Sequence, residues 1–120
     1  MKDIIKYKDF IGSVHFNSED EIFYGKIEGI NDLVTFESNN VEELKRSFQE
    51  AVEDYLTICA DLNKNPHRSF KGSFNVRINP ELHRLAYQIA TIEGVSLNQL
   101  IQNAISHEVN QKKDKLKNVV

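Results

Sequence analysis

The sequence predicts an α+β fold in two modules: a small antiparallel sheet covered by one long helix, then a short strand followed by two helices. Three observations carry this. Apolar and polar residues alternate repeatedly before residue 40, one apolar stripe with spacings of three and four runs from Val41 to Leu62, and at 73–109 an alternating stretch precedes two capped helical patterns.

In the first module, Phe10 to Phe16 places Phe10, Gly12, Val14 and Phe16 on one face of a strand, and the polar run Asn17 to Glu21 supplies a turn. Ile22 to Ile27 is expected to return as the second strand of a hairpin. Gly29-Ile30-Asn31-Asp32 has turn chemistry, and Leu33 to Glu37 is a third strand. Asn40 then caps a helix, with Glu43 at the reach-back position of a capping box. Its stripe of Val41, Leu44, Phe48, Val52, Tyr55, Cys59 and Leu62 is expected to cover the sheet, while Glu42, Lys45, Arg46, Gln49, Glu50 and Glu53 form a solvated face.

Pro66 and the polar cluster Asn63 to Ser69 mark the boundary, giving a first module at 1–66 and a second at 70–110. A last short strand is expected near Arg68 to Lys71. In the second module, Asn79-Pro80 opens a helix that carries Leu82, Leu85, Ala86, Ile89 and Ile92 inward until Gly94 stops it. Ser96, with Gln99 three residues on, opens the next, which carries Leu97, Leu100, Ile101, Ala104, Ile105 and Val109. Residues 111–120 are expected to be a flexible basic tail.

The strand Gly72 to Asn79 has no companion in its own module. Phe74, Val76 and Ile78 make one face, and Ser73, Asn75, Arg77 and Asn79 make the other. A lone strand leaves backbone donors and acceptors unpaired, so pairing with the same strand of a second copy about a two-fold axis is the economical solution. The expected dimer core is Phe74, Val76, Ile78, Leu85, Ile89, Leu100 and Ile101. Such a ribbon fits the major groove of B-DNA, where Asn and Arg match adenine and guanine edges. Ser96, Leu97 and Asn98 would offer a hydroxyl and free N–H groups to a phosphate. Arg and Asn are also ordinary occupants of any wet strand face.

From Ser73 to Val109 the chain resembles the ribbon-helix-helix family of transcriptional repressors: an alternating strand, Pro80 at the first helical position, Gly94 at the turn and Val95-Ser96-Leu97-Asn98 entering the second helix. Arc and MetJ read DNA with such a ribbon. The resemblance implies that Ser73, Asn75 and Arg77 contact bases and that Ser96, Leu97 and Asn98 anchor a phosphate. The first module resembles the HicB antitoxin family through the Gly12 strand, Phe23-Tyr24-Gly25, and Val41-Glu42-Glu43-Leu44 running into Phe48, Ala51 and Val52. It implies a partial ribonuclease-H-like sheet with one long helix, a HicA-type toxin as protein partner, double-stranded operator DNA as a second partner, and autorepression of the operon by a homodimer. An orphan ribbon-helix-helix regulator, its first module serving oligomerisation or another protein, is the alternative.

Charge divides along the same line. Residues 1–72 hold nine Lys/Arg against fourteen Asp/Glu, net -5, whereas 73–120 hold six against four, net +2. An acidic first module suits a small basic toxin and the second tolerates DNA. No catalytic, metal or cofactor site is expected: Glu19, Asp20 and Glu21 cluster in a turn, and His15, His67, His83 and His107 fall in different elements without ligand spacing. Cys59 stands alone, which excludes an internal disulfide, and a buried, inert thiol is expected. With no long apolar run and no leader-like start, a soluble cytoplasmic chain without membrane contact is expected.

Overall fold

The computed structural model describes residues 3–119 and divides the chain into two compact units, one running through Ser73 and the other spanning Phe74–Asn118. Each has its own logic.

The first unit is an antiparallel sheet with one helix laid across it. β1 (Ile4–Tyr7) pairs with β2 (Phe10–Ser13), and β3 (His15–Asn17), β4 (Ile22–Lys26) and β5 (Thr35–Ser38) form a second ladder in the order β3-β4-β5. A bridge between Gly12 and Ile27, with the Glu28 N–H donating to the Ile11 carbonyl at 2.8 Å, joins the two ladders. The expected strand from Phe10 to Phe16 is therefore two strands. They part at Val14, whose N–H turns back to the Asp3 carbonyl at 3.0 Å. Ser13 bridges the gap: its hydroxyl accepts from the Lys26 N–H at 3.3 Å and lies 3.4 Å from the Lys26 carbonyl. After the break Phe16 is exposed rather than inward. β1 carries no alternation strong enough to be noticed in the sequence, and the Lys8-Asp9 turn, with Lys8 at φ 53°, is what returns it to β2.

α1 (Val41–Asp61) begins at Asn40, whose side chain accepts from the Glu43 N–H at 2.8 Å. The reciprocal half of the expected box is absent, because the Glu43 carboxylate takes Arg46 at 2.9 Å. Leu44, Phe48, Val52, Tyr55 and Cys59 are buried, as the stripe requires, while Val41 and Leu62 at its ends overhang the sheet and are exposed. Phe48 and Val52 are the centre of the core, with Phe10, Ile27 and Phe36 beneath them. The helix ends in a Schellman pattern with Asn63 at φ 54° and the Lys64 N–H on the Cys59 carbonyl at 2.8 Å.

The segment after α1 stays with this unit. The strand expected near Arg68–Lys71 does not form, because the Arg68 and Phe70 N–H groups are taken by the carbonyls of Asn65 and His67 in successive turns. The Arg68 guanidinium reaches Asp32 at 2.7 Å, the Tyr55 hydroxyl at 3.3 Å and the buried Cys59 sulfur at 3.7 Å.

In the second unit, α2 (Pro80–Glu93) packs against α3 (Leu97–Lys112), and α4 (Asp114–Lys117) follows. Asn79 caps α2 by accepting from Glu81 N–H at 2.8 Å, with Pro80 at the first helical position. Gly94 closes it at φ 74° with the Val95 N–H on the Ala90 carbonyl at 3.0 Å. Ser96 caps α3 through Gln99 N–H at 2.9 Å, but the Gln99 amide turns forward to Asn103 instead of back to the cap. Part of the expected tail is ordered as α4, with Asp114 in its first turn and Lys115 and Lys117 in its last, charges that favour the helix dipole.

Two outcomes are expected for the first unit. A Cβ on Gly25 would lie 1.6 Å from the Ser13 carbonyl oxygen, so Gly25→Ala must displace the backbone at the strand junction and should cost roughly 2–4 kcal/mol in chemical denaturation. Glu53 on α1 takes Lys8 at 2.5 Å and the Tyr7 hydroxyl at 2.9 Å, and these bonds, Lys8 first, hold its carboxyl below the ordinary value of 4.5. A depressed folded-state value means that the stabilisation is present above the unfolded value and is lost as pH falls through the folded one. The stability difference between the wild type and Glu53→Gln should accordingly be constant near neutrality and vanish below the ordinary glutamate range; a difference independent of pH from 7 to 2.5, the order-of-magnitude limits for such a scan, would contradict it.

Candidate nucleic-acid and dimer interface

The second unit contains almost no interior. Among its described residues only Ala90 is buried, and Ala86, Leu97 and Leu100 are half-buried. The side chains expected to point inward are open to solvent: Leu82, Leu85 and Ile89 on α2, Ile101, Ile105 and Val109 on α3, and Ile92, which is 84% exposed. Two helices present their apolar stripes and have too little protein to lay them on. A unit this small buries a low fraction of its chain surface, and here the apolar stripes stay uncovered in a single copy.

The stretch before α2 has the same deficiency. Residues 73–79 form no strand, and Phe74, Val76 and Ile78 are exposed, Phe74 at 72%. The sequence pattern is a strand pattern, but a strand is a hydrogen-bonded pair, and among the described residues nothing pairs with it. Of the expected dimer core, Phe74, Val76, Ile78, Leu85, Ile89 and Ile101 are thus exposed and Leu100 is half-buried in a single copy.

The polar positions are free. Among the described residues, the side chains of Ser73, Asn75 and Arg77 make no hydrogen bond or ion pair, and none joins them to Ser96, Leu97 or Asn98. By contrast, the α2 surface is internally occupied: Arg84 pairs with Glu81, holding the Glu81 carboxyl below its ordinary value, and also reaches Gln88. At the start of α3 the Ser96 hydroxyl satisfies the Gln99 N–H, which leaves the first-turn donors of Leu97 and Asn98 with no acceptor within the helix. Such a terminus can take a phosphate oxygen without giving up its cap.

Among the described residues no three of His, Cys, Asp and Glu gather where they could hold a metal ion, and Glu19 and Asp20 donate backbone N–H groups to Asn17 in an exposed turn. His67 lies flat on Phe10 at 4.8 Å and His15 lies beside Tyr24 at 5.3 Å. No helix of the described residues is long and apolar enough to cross a membrane.

Sequence reasoning missed the work of Arg68 and His67, which tie the segment after α1 to the sheet. The only available signal was their position beside Pro66 in a polar cluster, which resembles any linker.

A family model described as the HicB family matches residues 55–105, from the last turns of α1 through the unpaired segment and α2 into α3. No curated protein and no solved structure matches the chain. The matched span contains the stretch from Phe74 to Ile101 in which most of the apolar side chains are uncovered.

Proposed function

We propose that the chain is the antitoxin of a type II toxin–antitoxin pair. In this reading the unit through Ser73 binds and blocks a small mRNA-cleaving toxin of the HicA type. The 74–112 region of two copies pairs into a ribbon-helix-helix body that binds operator DNA and represses the operon.

The observation that carries the DNA half is the coincidence of two unmet needs in one segment. Phe74, Val76 and Ile78 are uncovered, and among the described residues their backbone has no partner strand. One operation, antiparallel pairing with the same segment of a second copy, meets both. It also turns Ser73, Asn75 and Arg77 of both copies to the opposite face, on a ribbon of the width the major groove admits. Leu85, Ile89, Leu100 and Ile101 then become the shared core below it. The HicB match and the net charge of -5 in residues 1–72 support the toxin half, since an acidic surface speeds encounter with a basic protein.

Light scattering on the eluting protein should give a mass that is a multiple of two chains of 13.9 kDa. Phe74→Asp combined with Ile89→Asp should reduce it to one chain, with loss of helix content as the apolar stripes lose their cover. A wild-type monomer at micromolar concentration, an order-of-magnitude working range, would sink the shared core. On promoter DNA, Arg77→Ala and Asn75→Ala should each cost about 1–3 kcal/mol at one base pair and relax preference there. Ser96→Ala should weaken binding about evenly across sequences, as loss of a phosphate anchor does. Unaltered operator preference in Arg77→Ala would remove it from the reading surface.

A further inference from the structure

Away from the second unit, three segments of the first converge on a hollow of about 210 Å³ lined by Asp9, Phe10, Ile11, Glu28, Gly29, Ile30, His67 and Phe70. Its walls are mostly apolar. The His67 ring is stacked on buried Phe10 at 4.8 Å, and Phe70, 70% exposed, lies over Gly29, where a Cβ would sit 2.9 Å from its ring. The Ser69 hydroxyl donates to the Gly29 carbonyl at 2.5 Å and fixes that arrangement.

Asp9 and Glu28 complete the lining, and among the described residues neither carboxylate has an ion pair or a side-chain hydrogen bond. Among the described residues Asp32, Glu43 and Glu53 are ion-paired, whereas Glu37 and Glu50, like Asp9 and Glu28, are not; what sets Asp9 and Glu28 apart is that they line the hollow together. Size decides the class of occupant. The hollow falls short of the roughly 300–1,000 Å³ of small-molecule sites, yet it has room for one long side chain.

We propose that this hollow is the anchor point for a basic protein partner and receives one arginine side chain from it. A guanidinium is planar and weakly hydrated, so it stacks on Phe70 and His67 while its N–H groups reach Asp9 and Glu28. Lysine carries the same charge but lacks the planar fork that stacks on a ring and presents several donors to two carboxylates at once. The inference rests on the proposal that this unit binds a basic toxin, and it names where on the unit the toxin is held.

The test uses the full chain in two arms. In the first, amide and side-chain NMR signals are followed while N-acetyl-arginine amide is added, with the neutral isostere N-acetyl-citrulline amide as control. Shifts confined to Ile11, Glu28, Gly29, His67 and Phe70, at least about tenfold weaker in Asp9→Asn/Glu28→Gln and absent with citrulline, are expected. Equal shifts with citrulline, or shifts that survive the double substitution, overturn the pocket. Phe70→Ala, at an exposed position that leaves the core intact, should weaken binding as well. In the second arm, calorimetry against a small basic toxin of the HicA type should show the same tenfold loss. A partner that binds wild type and Asp9→Asn/Glu28→Gln equally overturns the anchor while leaving the toxin reading standing. A toxin that does not bind at all removes the toxin reading, and the arginine titration still decides the pocket.

Discussion

A backbone segment that finds no partner strand among the described residues constrains everything after Ser73. Between Phe74 and Ile78 the side chains alternate as a strand requires, yet no strand forms, because ladder hydrogen bonds are a property of two segments. The helices downstream share the condition. They are well made locally, with Asn79 and Ser96 as caps and Gly94 as the stop, but their apolar faces are open. Local propensity and tertiary burial are separable here, and only the first is met within one molecule.

The first unit is the contrast. Its helix lays five buried side chains on a sheet that is complete without help, and its junctions depend on close approach. Gly25 gives way to the Ser13 carbonyl, and Gly12 leaves the space that the Phe48 ring fills. Arg68 then extends this body past α1 by binding Asp32, Tyr55 and Cys59 together. A segment with the composition of a linker is thus held down by a guanidinium whose planar fork serves several acceptors at once, together with the His67 ring on Phe10 and the Ser69 hydroxyl on the Gly29 carbonyl.

The α+β class, α1 with its stripe, the turn at 17–21, the two caps of the second unit and its glycine stop were all legible, because each depends on residues within a few positions of one another. The split of the first strand at Val14 was not. It is set by Lys26 and Ser13 meeting across thirteen residues, which no period reveals. The capping boxes were half legible: Asn40 and Ser96 cap as expected, but whether Glu43 and Gln99 reach back depends on rivals at Arg46 and Asn103 that bind them first. For the candidate interface, the sequence names the residues Ser73, Asn75 and Arg77 but not the second body that would order them.

This division bears on how the two proposed roles would depend on each other. A unit that completes its core only by association has a stability tied to concentration, whereas one with its own core does not. On the proposed reading, protein binding through the first unit would be available to every copy, and DNA binding only to paired ones. Lowering the free concentration of the chain would then weaken DNA binding by two routes, loss of the pair and loss of the complex, and protein binding by one, a difference that follows from where each unit keeps its apolar surface.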